Sequence, residues 1–172
     1  MELYAPVQRW HVSETCLSRS IEEMSGDGAL GNEGIVLWAG VVDDGIARIT
    51  ALIGLYGPFI QKSPLNIRID PDLFNRVSIF CEENGLLLIG QVHSHPETFV
   101  DLSLTDKKYG IATPSFLSVV APHYAQRSDT LWSDCGAHVF EQGHGFRRMS
   151  TAEATSRVVV EARLSAELTR LR

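Results

Sequence analysis

Apolar residues recur with the spacing of a strand in some segments of this chain and with the spacing of a helix in others. Two runs rich in β-branched residues, 35–42 and 47–56, flank Asp43-Asp44-Gly45 and predict a β-hairpin. Asp70-Pro71 favours the start of a helix and Asn84-Gly85 favours its end, and between them apolar residues recur at helical spacing. Local sequence therefore predicts both strands and helices in the first half of the chain.

Shorter runs predict the remaining elements. In chain order they are a strand at 7–12, a helix at 14–24 capped by Ser13 and ended by Ser25-Gly26-Asp27-Gly28, strands at 86–93, 116–121 and 137–141, and a short helix at 103–109. The tail from 152 to 171 carries Val158, Val159, Leu164, Leu168 and Leu171, which predict one long amphipathic helix. Because helices and strands are interleaved, we expect one α/β or mixed α+β domain over residues 1–172 with a central sheet.

Composition narrows the class of protein. The 172 residues include 15 Lys and Arg against 21 Asp and Glu, a net charge of −6, and no basic cluster suggests nucleic-acid binding. No apolar run approaches the roughly 18 residues of a membrane span, and the N-terminus lacks a signal-peptide pattern. Three scattered cysteines favour a reducing compartment. We expect a soluble cytoplasmic protein with no nucleic-acid and no membrane partner.

The segment that carries chemistry runs from His93 to Asp106. His93 and His95 stand two residues apart on a predicted strand, so both imidazoles project from one face toward one metal ion. Asp106 is the third residue of a helix that Ser103 would cap, so a short loop returns its carboxylate toward the histidines. Two His and one carboxylate leave a tetrahedral zinc with one open position, which is typical of catalytic sites. We predict one Zn²⁺ per chain.

The run His93-Ser94-His95-Pro96, followed by Ser103 and Asp106, resembles the signature of the JAMM (MPN+) metalloproteases. The resemblance implies a JAMM/MPN-type domain with a curved mixed sheet flanked by helices, and zinc-dependent isopeptidase or peptidase activity. It also implies that Glu33, before an apolar strand, is the general base and acid, and that the Ser103 hydroxyl binds the developing oxyanion. Val36 departs from the family pattern, because many members have Gly three residues after the Glu.

The same resemblance implies a class of substrate. Compact members resemble bacterial deconjugating peptidases that accompany ubiquitin-like, E1-like and E2-like proteins, including those of antiviral operons. We therefore expect cleavage after the C-terminal Gly of a ubiquitin-like protein, in a precursor or a conjugate, with E1-like and E2-like proteins as further partners. The alternatives are processing of a sulfur-carrier β-grasp protein and a non-catalytic MPN scaffold.

Two other zinc folds share part of the motif and fit the chain less well. Cytidine-deaminase-like proteins need a Pro-Cys-x-x-Cys that this chain lacks, and amidohydrolase barrels need about 250 residues. Outside the motif, four histidines are predicted to be surface or ordinary packed residues: His11, His123, His138 and His144. Three glutamates remain as alternatives to Glu33: Glu14, Glu22 and Glu23.

Overall fold

A curled mixed sheet, forming half of a barrel, is the centre of the molecule. The computed structural model describes residues 6–172, and in this range eleven strands and four α-helices form. The strands are β1 (Arg9–Val12), β2 (Ile35–Asp43), β3 (Ile46–Leu55), β4 (Ile60–Ser63), β5 (Asn66–Ile69), β6 (Leu87–Ser94), β7 (Leu117–Ala121), β8 (Gly136–Glu141), β9 (Gly145–Arg148), β10 (Val158–Val160) and β11 (Glu167–Leu171). The helices are α1 (Cys16–Ala29), α2 (Pro71–Glu83), α3 (Leu104–Tyr109) and α4 (Thr151–Arg157).

Nine strands form the main sheet, in the order β10-β1-β3-β2-β6-β7-β8-β9, with β11 also paired to β3. Neighbours β2 and β3 are antiparallel, as are β2 and β6, whereas β6 and β7 run parallel with α3 in their connection. The hairpin β4–β5 is separate from this sheet. Across residues 6–172, none of the helices has both the length and the apolar character that a bilayer span requires.

Apolar side chains cover both faces of the sheet. Trp38 and Leu37 are neighbours on β2 that point to opposite faces, and both are fully buried. Trp38 belongs to a cluster that includes Met24 of α1, and Leu37 belongs to a second cluster that includes Leu73 and Val77 of α2. Helices α1 and α2 therefore pack on opposite faces, and the predicted mixed α+β class is confirmed.

Two local predictions are confirmed in detail. The hairpin β2–β3 turns at Asp44 and Gly45, whose φ angles of 47° and 71° are the left-handed values of a type I′ turn. Helix α2 begins after Asp70, whose carboxylate accepts a hydrogen bond from the Asp72 N–H at 2.9 Å. In both places the residues that decide the geometry lie inside the segment they shape.

The predicted limits of the first helix were wrong. Helix α1 continues through Gly26 and Gly28 to Ala29, and it begins after Thr15 without the predicted Ser13 side-chain cap. Glycine favours helix ends, and for this reason the sequence predicts an end at Gly26 and Gly28. Here Gly28 lies against another segment: a β-carbon at this position would come within 1.9 Å of the Tyr124 carbonyl oxygen. The close packing, not a helix end, explains this glycine.

The predicted C-terminal helix at about 152–171 was also wrong. Only Thr151–Arg157 is helical, and the tail then forms β10 beside β1 and β11 beside β3. Leu168 packs on the cluster that contains Trp38, and Leu171 packs on the cluster that contains Leu37. A spacing of three residues places side chains on one face of a helix but on opposite faces of a strand. The apolar pattern of the tail is compatible with a helix and with a strand, and backbone pairing with β3 selects the strand.

Candidate metal centre

Two histidines meet at the end of β6. His93 lies in the strand, between its antiparallel partner Ile35 on β2 and its parallel partner Val120 on β7. His95 follows the last residue of the strand, and its N–H donates to the Ala121 carbonyl at 2.9 Å. Both side chains are buried, and their Nε2 atoms are 3.1 Å apart. The predicted same-face arrangement of the two imidazoles is present.

Helix α3 brings Asp106 to this pair. Asp106 Oδ2 lies 3.2 Å from His95 Nε2 and 3.6 Å from His93 Nε2. In the described part of the chain, these three residues are the group whose potential ligand atoms all lie within 4.8 Å of one another. The arrangement fits a metal ion held by two nitrogens and one oxygen.

A capping box fixes the carboxylate of Asp106. The Ser103 N–H and hydroxyl donate to Asp106 Oδ2 at 2.7 and 2.6 Å, and the Asp106 N–H donates to Ser103 Oγ at 3.1 Å. Burial opposes ionisation, but hydrogen bonds from His93, His95 and Ser103 outweigh it and hold the pKa of Asp106 well below its usual range. Burial also lowers the pKa of His93. An anionic carboxylate and a neutral imidazole are the forms that bind a metal.

Glu33 lies next to the three residues. It precedes β2, and its N–H donates to the Ser63 carbonyl at the end of β4 at 2.9 Å. Its Oε1 is 3.8 Å from His95 Nε2. The residue is only 4% exposed, and burial raises the pKa of its carboxyl to about 7. The structure thus brings together the five residues that the sequence predicts for the site: Glu33, His93, His95, Ser103 and Asp106.

A left-handed turn supports the loop after His95, and nothing in the sequence indicated it. His123, Tyr124 and Ala125 have φ angles of 56°, 51° and 56°, values that residues other than glycine rarely adopt. The Tyr124 N–H donates to the His95 carbonyl at 2.8 Å, and the His123 N–H donates to the Glu97 carbonyl at 2.6 Å. The turn therefore holds the backbone of one histidine of the cluster.

A cleft of about 830 Å³ opens beside the cluster. Glu33, His93 and Asp106 line its polar end. Its remaining wall is largely apolar and includes Ile35, Ile67, Ile69, Phe74, Tyr109 and Phe146. The unpredicted hairpin β4–β5 supplies part of this wall; alternation of Ile67 and Ile69 with polar residues was the signal that could have revealed β5. The cleft therefore reaches His93, Asp106 and Glu33.

Sequence comparison identifies the family of this chain. "Probable metalloprotease y4jG" of Sinorhizobium fredii (strain NBRC 101917 / NGR234) is 30% identical over 113 residues, which are 64% of this chain and 69% of that protein. This chain belongs to that metalloprotease family. No general model of a protein family matches the chain.

Solved structures share the fold of this metalloprotease. Protein DSY2949 of Desulfitobacterium hafniense superposes with a TM-score of 0.66 at 18% identity, covering 90% of this chain and 94% of that one. A protein of Salinibacter ruber (strain DSM 13855) superposes with a TM-score of 0.58 at 18% identity, covering 94% and 98%. At such identities the likeness concerns the fold alone.

The metalloprotease family and the cluster agree in their chemistry. Metalloproteases need a metal ion with an accessible ligand position and a nearby group that exchanges protons. His93, His95 and Asp106 offer three metal ligands at the cleft, and Glu33 offers a buried carboxyl beside them. The Nε2 atoms of the two histidines converge with Asp106 Oδ2, and their Nδ1 atoms have no hydrogen-bond partner among the described residues.

Proposed function

We propose that this metalloprotease is a zinc peptidase of the JAMM type that cleaves after the C-terminal Gly of a ubiquitin-like protein. The observation that carries the proposal is the convergence of His93, His95 and Asp106 at the end of a cleft, with Glu33 beside them. The spacing His-x-His-Pro followed by Ser-x-x-Asp, which the JAMM resemblance rests on, is the spacing that produces this convergence.

The distances within the cluster support zinc as the metal. A tetrahedral zinc with ligand bonds of about 2.0–2.1 Å separates its ligand atoms by about 3.3 Å. The three separations here are 3.1, 3.2 and 3.6 Å, so an ion of this geometry fits with small adjustments. When bound, zinc supplies a Lewis acid that lowers the pKa of water toward 7 and polarises a carbonyl oxygen.

Glu33 and Ser103 perform the proton and charge chemistry in this proposal. The Glu33 carboxylate accepts a proton from the attacking water and delivers it to the leaving amine. Ser103 donates its hydroxyl to the oxygen of the scissile carbonyl as negative charge develops there. Because this hydroxyl donates to Asp106 in the structure, it must turn from Asp106 to the substrate oxygen during the reaction.

The wall of the cleft supports an extended peptide as substrate. Strand β5 pairs with β4 through one edge, and Asn66, Ile67, Arg68 and Ile69 line the cleft. A peptide can add to a strand edge through its backbone, while side-chain pockets select residues along it. The flexible C-terminal tail of a ubiquitin-like protein has the required extended form, and its folded domain stays outside the cleft.

Metal content and turnover test the chemistry. Purified protein should hold one zinc per chain, and the double variant His93→Ala, His95→Ala should hold none. Glu33→Gln should retain zinc, because the amide replaces a group that is not among the three ligands, and should lose nearly all turnover because it accepts no proton. A Glu33→Gln protein with full activity would assign the proton transfer to another residue, and a metal-free wild type would refute the site.

The substrate is tested with a ubiquitin-like protein that carries a C-terminal extension, with products identified by mass spectrometry. Cleavage should follow the terminal Gly and should stop when a chelator is added. Replacing that Gly by a bulky residue should abolish cleavage, because a side chain would collide with the cleft walls. Equal cleavage of the isolated tail peptide and the folded precursor would contradict recognition of the folded domain and indicate a general peptidase.

A further inference from the structure

A buried histidine outside the motif holds the loop that connects the metal ligands. His138 lies on β8 and is 1% exposed. Its Nε2 is 2.8 Å from Oδ1 of Asp101, which lies in the loop between His95 and Ser103. The two residues are 37 positions apart in sequence, so the contact ties the loop to a distant strand.

Asp101 connects this contact to the capping box. Its Oδ1 also accepts a hydrogen bond from the Leu102 N–H at 3.0 Å, and Leu102 is buried directly before Ser103. Ser103 then holds the carboxylate of Asp106. Hydrogen bonds and the chain itself thus connect β8, through Asp101, Leu102 and Ser103, to the Asp106 oxygen that faces the histidines.

One further contact seats the loop closely on β8, and another orients His138 within the sheet. A β-carbon added to Gly136 would lie 1.9 Å from the Val100 carbonyl oxygen, so only glycine allows this approach. The other nitrogen of His138, Nδ1, is 3.2 Å from the Ser118 carbonyl oxygen. Arg148 is the further charged group near Asp101, at 3.9 Å from its Oδ2. The imidazole is therefore held at Nδ1 by β7, and its Nε2 faces the loop.

We propose that Asp101 and His138 are positioning residues, which hold the loop so that Asp106 meets His93 and His95 in metal-binding geometry. The inference rests on the proposed metal site. Without the contact between Asp101 and His138, Leu102 and Ser103 become more mobile. Asp106 must then be ordered when the metal binds, which lowers the metal affinity. Groups that hydrogen-bond a metal ligand directly typically change metal affinity about 10- to 100-fold when they are removed, and a contact that acts through Ser103 should lie at the lower end of this range.

The chain contains a matched control for this contact. His11 on β1 pairs with Glu161 at the same distance of 2.8 Å and also joins segments distant in sequence. The carboxylate side chains are similarly accessible, 42% exposed for Asp101 and 39% for Glu161. Neither Glu161 nor His11 lines the cleft. Removing Glu161 therefore reports the structural cost of losing such a pair without disturbing the ligand loop.

The experiment measures zinc affinity by competition with a chromogenic chelator for wild type, Asp101→Ala, Asp101→Asn and Glu161→Ala. Thermal unfolding of the same proteins in EDTA measures the stability of the metal-free fold. Asp101→Ala should lower zinc affinity about 10-fold, the lower end of the range for direct partners of metal ligands, and Glu161→Ala should change it less than twofold. Asp101→Asn keeps an acceptor oxygen toward His138 and Leu102, so it should recover most of the lost affinity.

The outcomes separate this inference from the proposed function. If wild type binds zinc tightly and Asp101→Ala binds it equally well, the positioning role is wrong and the metal site stands. If Asp101→Ala and Glu161→Ala lose stability alike with unchanged zinc affinity, the contact is structural only, which also refutes the inference. If wild type binds no zinc, both the inference and the proposed function fail. Because Asp101 is partly exposed, its variants are expected to fold.

Discussion

The pKa of the Glu33 carboxyl depends on the surroundings of this residue. Its carboxyl is 4% exposed and has neither a lysine nor an arginine partner in the ion pairs of the described chain, where its contact is His95 at 3.8 Å. Burial raises its pKa to about 7, so the metal-free protein folds best with a neutral Glu33. A group that titrates near neutral pH is suited to accept and return a proton at that pH.

The raised pKa predicts a pH dependence of stability in the metal-free protein. Glu33 ionises near 4.5 when unfolded and near 7 when folded, so the unfolded state loses its proton first. Its contribution to folding is full below about pH 4.5 and is lost as pH rises through about 7, a difference of up to about 3 kcal/mol. Urea unfolding in EDTA should show this loss in wild type but not in Glu33→Gln; parallel pH profiles would contradict the prediction.

Ser103 has two proposed roles, as a helix cap and as a hydrogen-bond donor to the developing oxyanion. Comparison with a serine that is only a cap distinguishes them. Ser150 caps α4 as Ser103 caps α3, and in both cases Oγ accepts a backbone N–H at 3.1 Å. Ser103→Ala and Ser150→Ala should each cost about 1 kcal/mol of unfolding free energy through the lost cap. Only Ser103→Ala should also reduce kcat. Equal loss of stability with full activity in both variants would leave Ser103 as a cap alone.

Among the secondary-structure elements, α1 supports the loop that follows His95, and it does so through the left-handed turn at 123–125. Gly28 of α1 lies against the Tyr124 carbonyl, and Gln126 donates its side-chain amide to the Ser25 carbonyl at 2.7 Å. The left-handed turn itself donates hydrogen bonds to the backbone carbonyls of His95 and Glu97. Three successive left-handed residues other than glycine are unfavourable by themselves, so contacts with α1 and the loop must stabilise them.

Two glycines of α1 should respond oppositely to the same substitution. Nothing lies within 4 Å of a β-carbon at Gly26, so Gly26→Ala should stabilise the protein by about 0.5–1 kcal/mol, as expected in a helix. A β-carbon at Gly28 would meet the Tyr124 oxygen at 1.9 Å, so Gly28→Ala should cost about 1–3 kcal/mol. Chemical denaturation measures both, and stabilisation by Gly28→Ala would disprove the close packing of helix and turn.

The hairpin β4–β5 is attached to the molecule at several points around the site. Lys62 forms an ion pair with Asp27 of α1 at 2.7 Å. The Ser63 carbonyl accepts the Glu33 N–H, and the Pro64 carbonyl accepts the Tyr124 hydroxyl at 2.9 Å. These attachments join the cleft wall to Glu33 and to the turn that holds His95. Substrate pairing with β5 would therefore act on a wall fixed relative to the ligands.

At the scale of the whole molecule, the core is independent of the metal. One apolar cluster fills the face under α1 and a second fills the face under α2, whereas the proposed metal ligands lie at the end of β6 and in the short helix α3. A chain of this length buries enough apolar surface to fold without a metal. We expect the metal to organise the site and not the fold.

Metal removal tests this independence. EDTA treatment should leave the far-ultraviolet circular dichroism spectrum unchanged and should lower the thermal midpoint. The loss corresponds to about 2.7 kcal/mol when free zinc had been at 100 times its dissociation constant. The His93→Ala, His95→Ala variant serves as control, because its midpoint should not respond to zinc or EDTA. Cooperative unfolding on chelation at room temperature would show that the fold depends on the metal.

Local sequence is sufficient to predict the features whose geometry is set within a few residues. Strand alternation places His93 and His95 on one side, and the Ser103 capping box turns Asp106 toward them. The Asp44-Gly45 turn and helix α2 after Asp70 follow from local backbone preferences in the same way. The convergence of His93, His95 and Asp106 was therefore predictable because each part of it is a local structure of known form.

Tertiary structure decided everything that depends on contacts between distant segments. It placed Glu33 beside His95, paired β11 with β3 where periodicity predicted a helix, and joined His138 to Asp101. In each case a local pattern allowed more than one outcome, and backbone pairing, burial or close approach of another segment selected one. Free energy from such contacts exceeds the few tenths of a kcal/mol by which local propensities differ, so the fold and not the local pattern controls these positions.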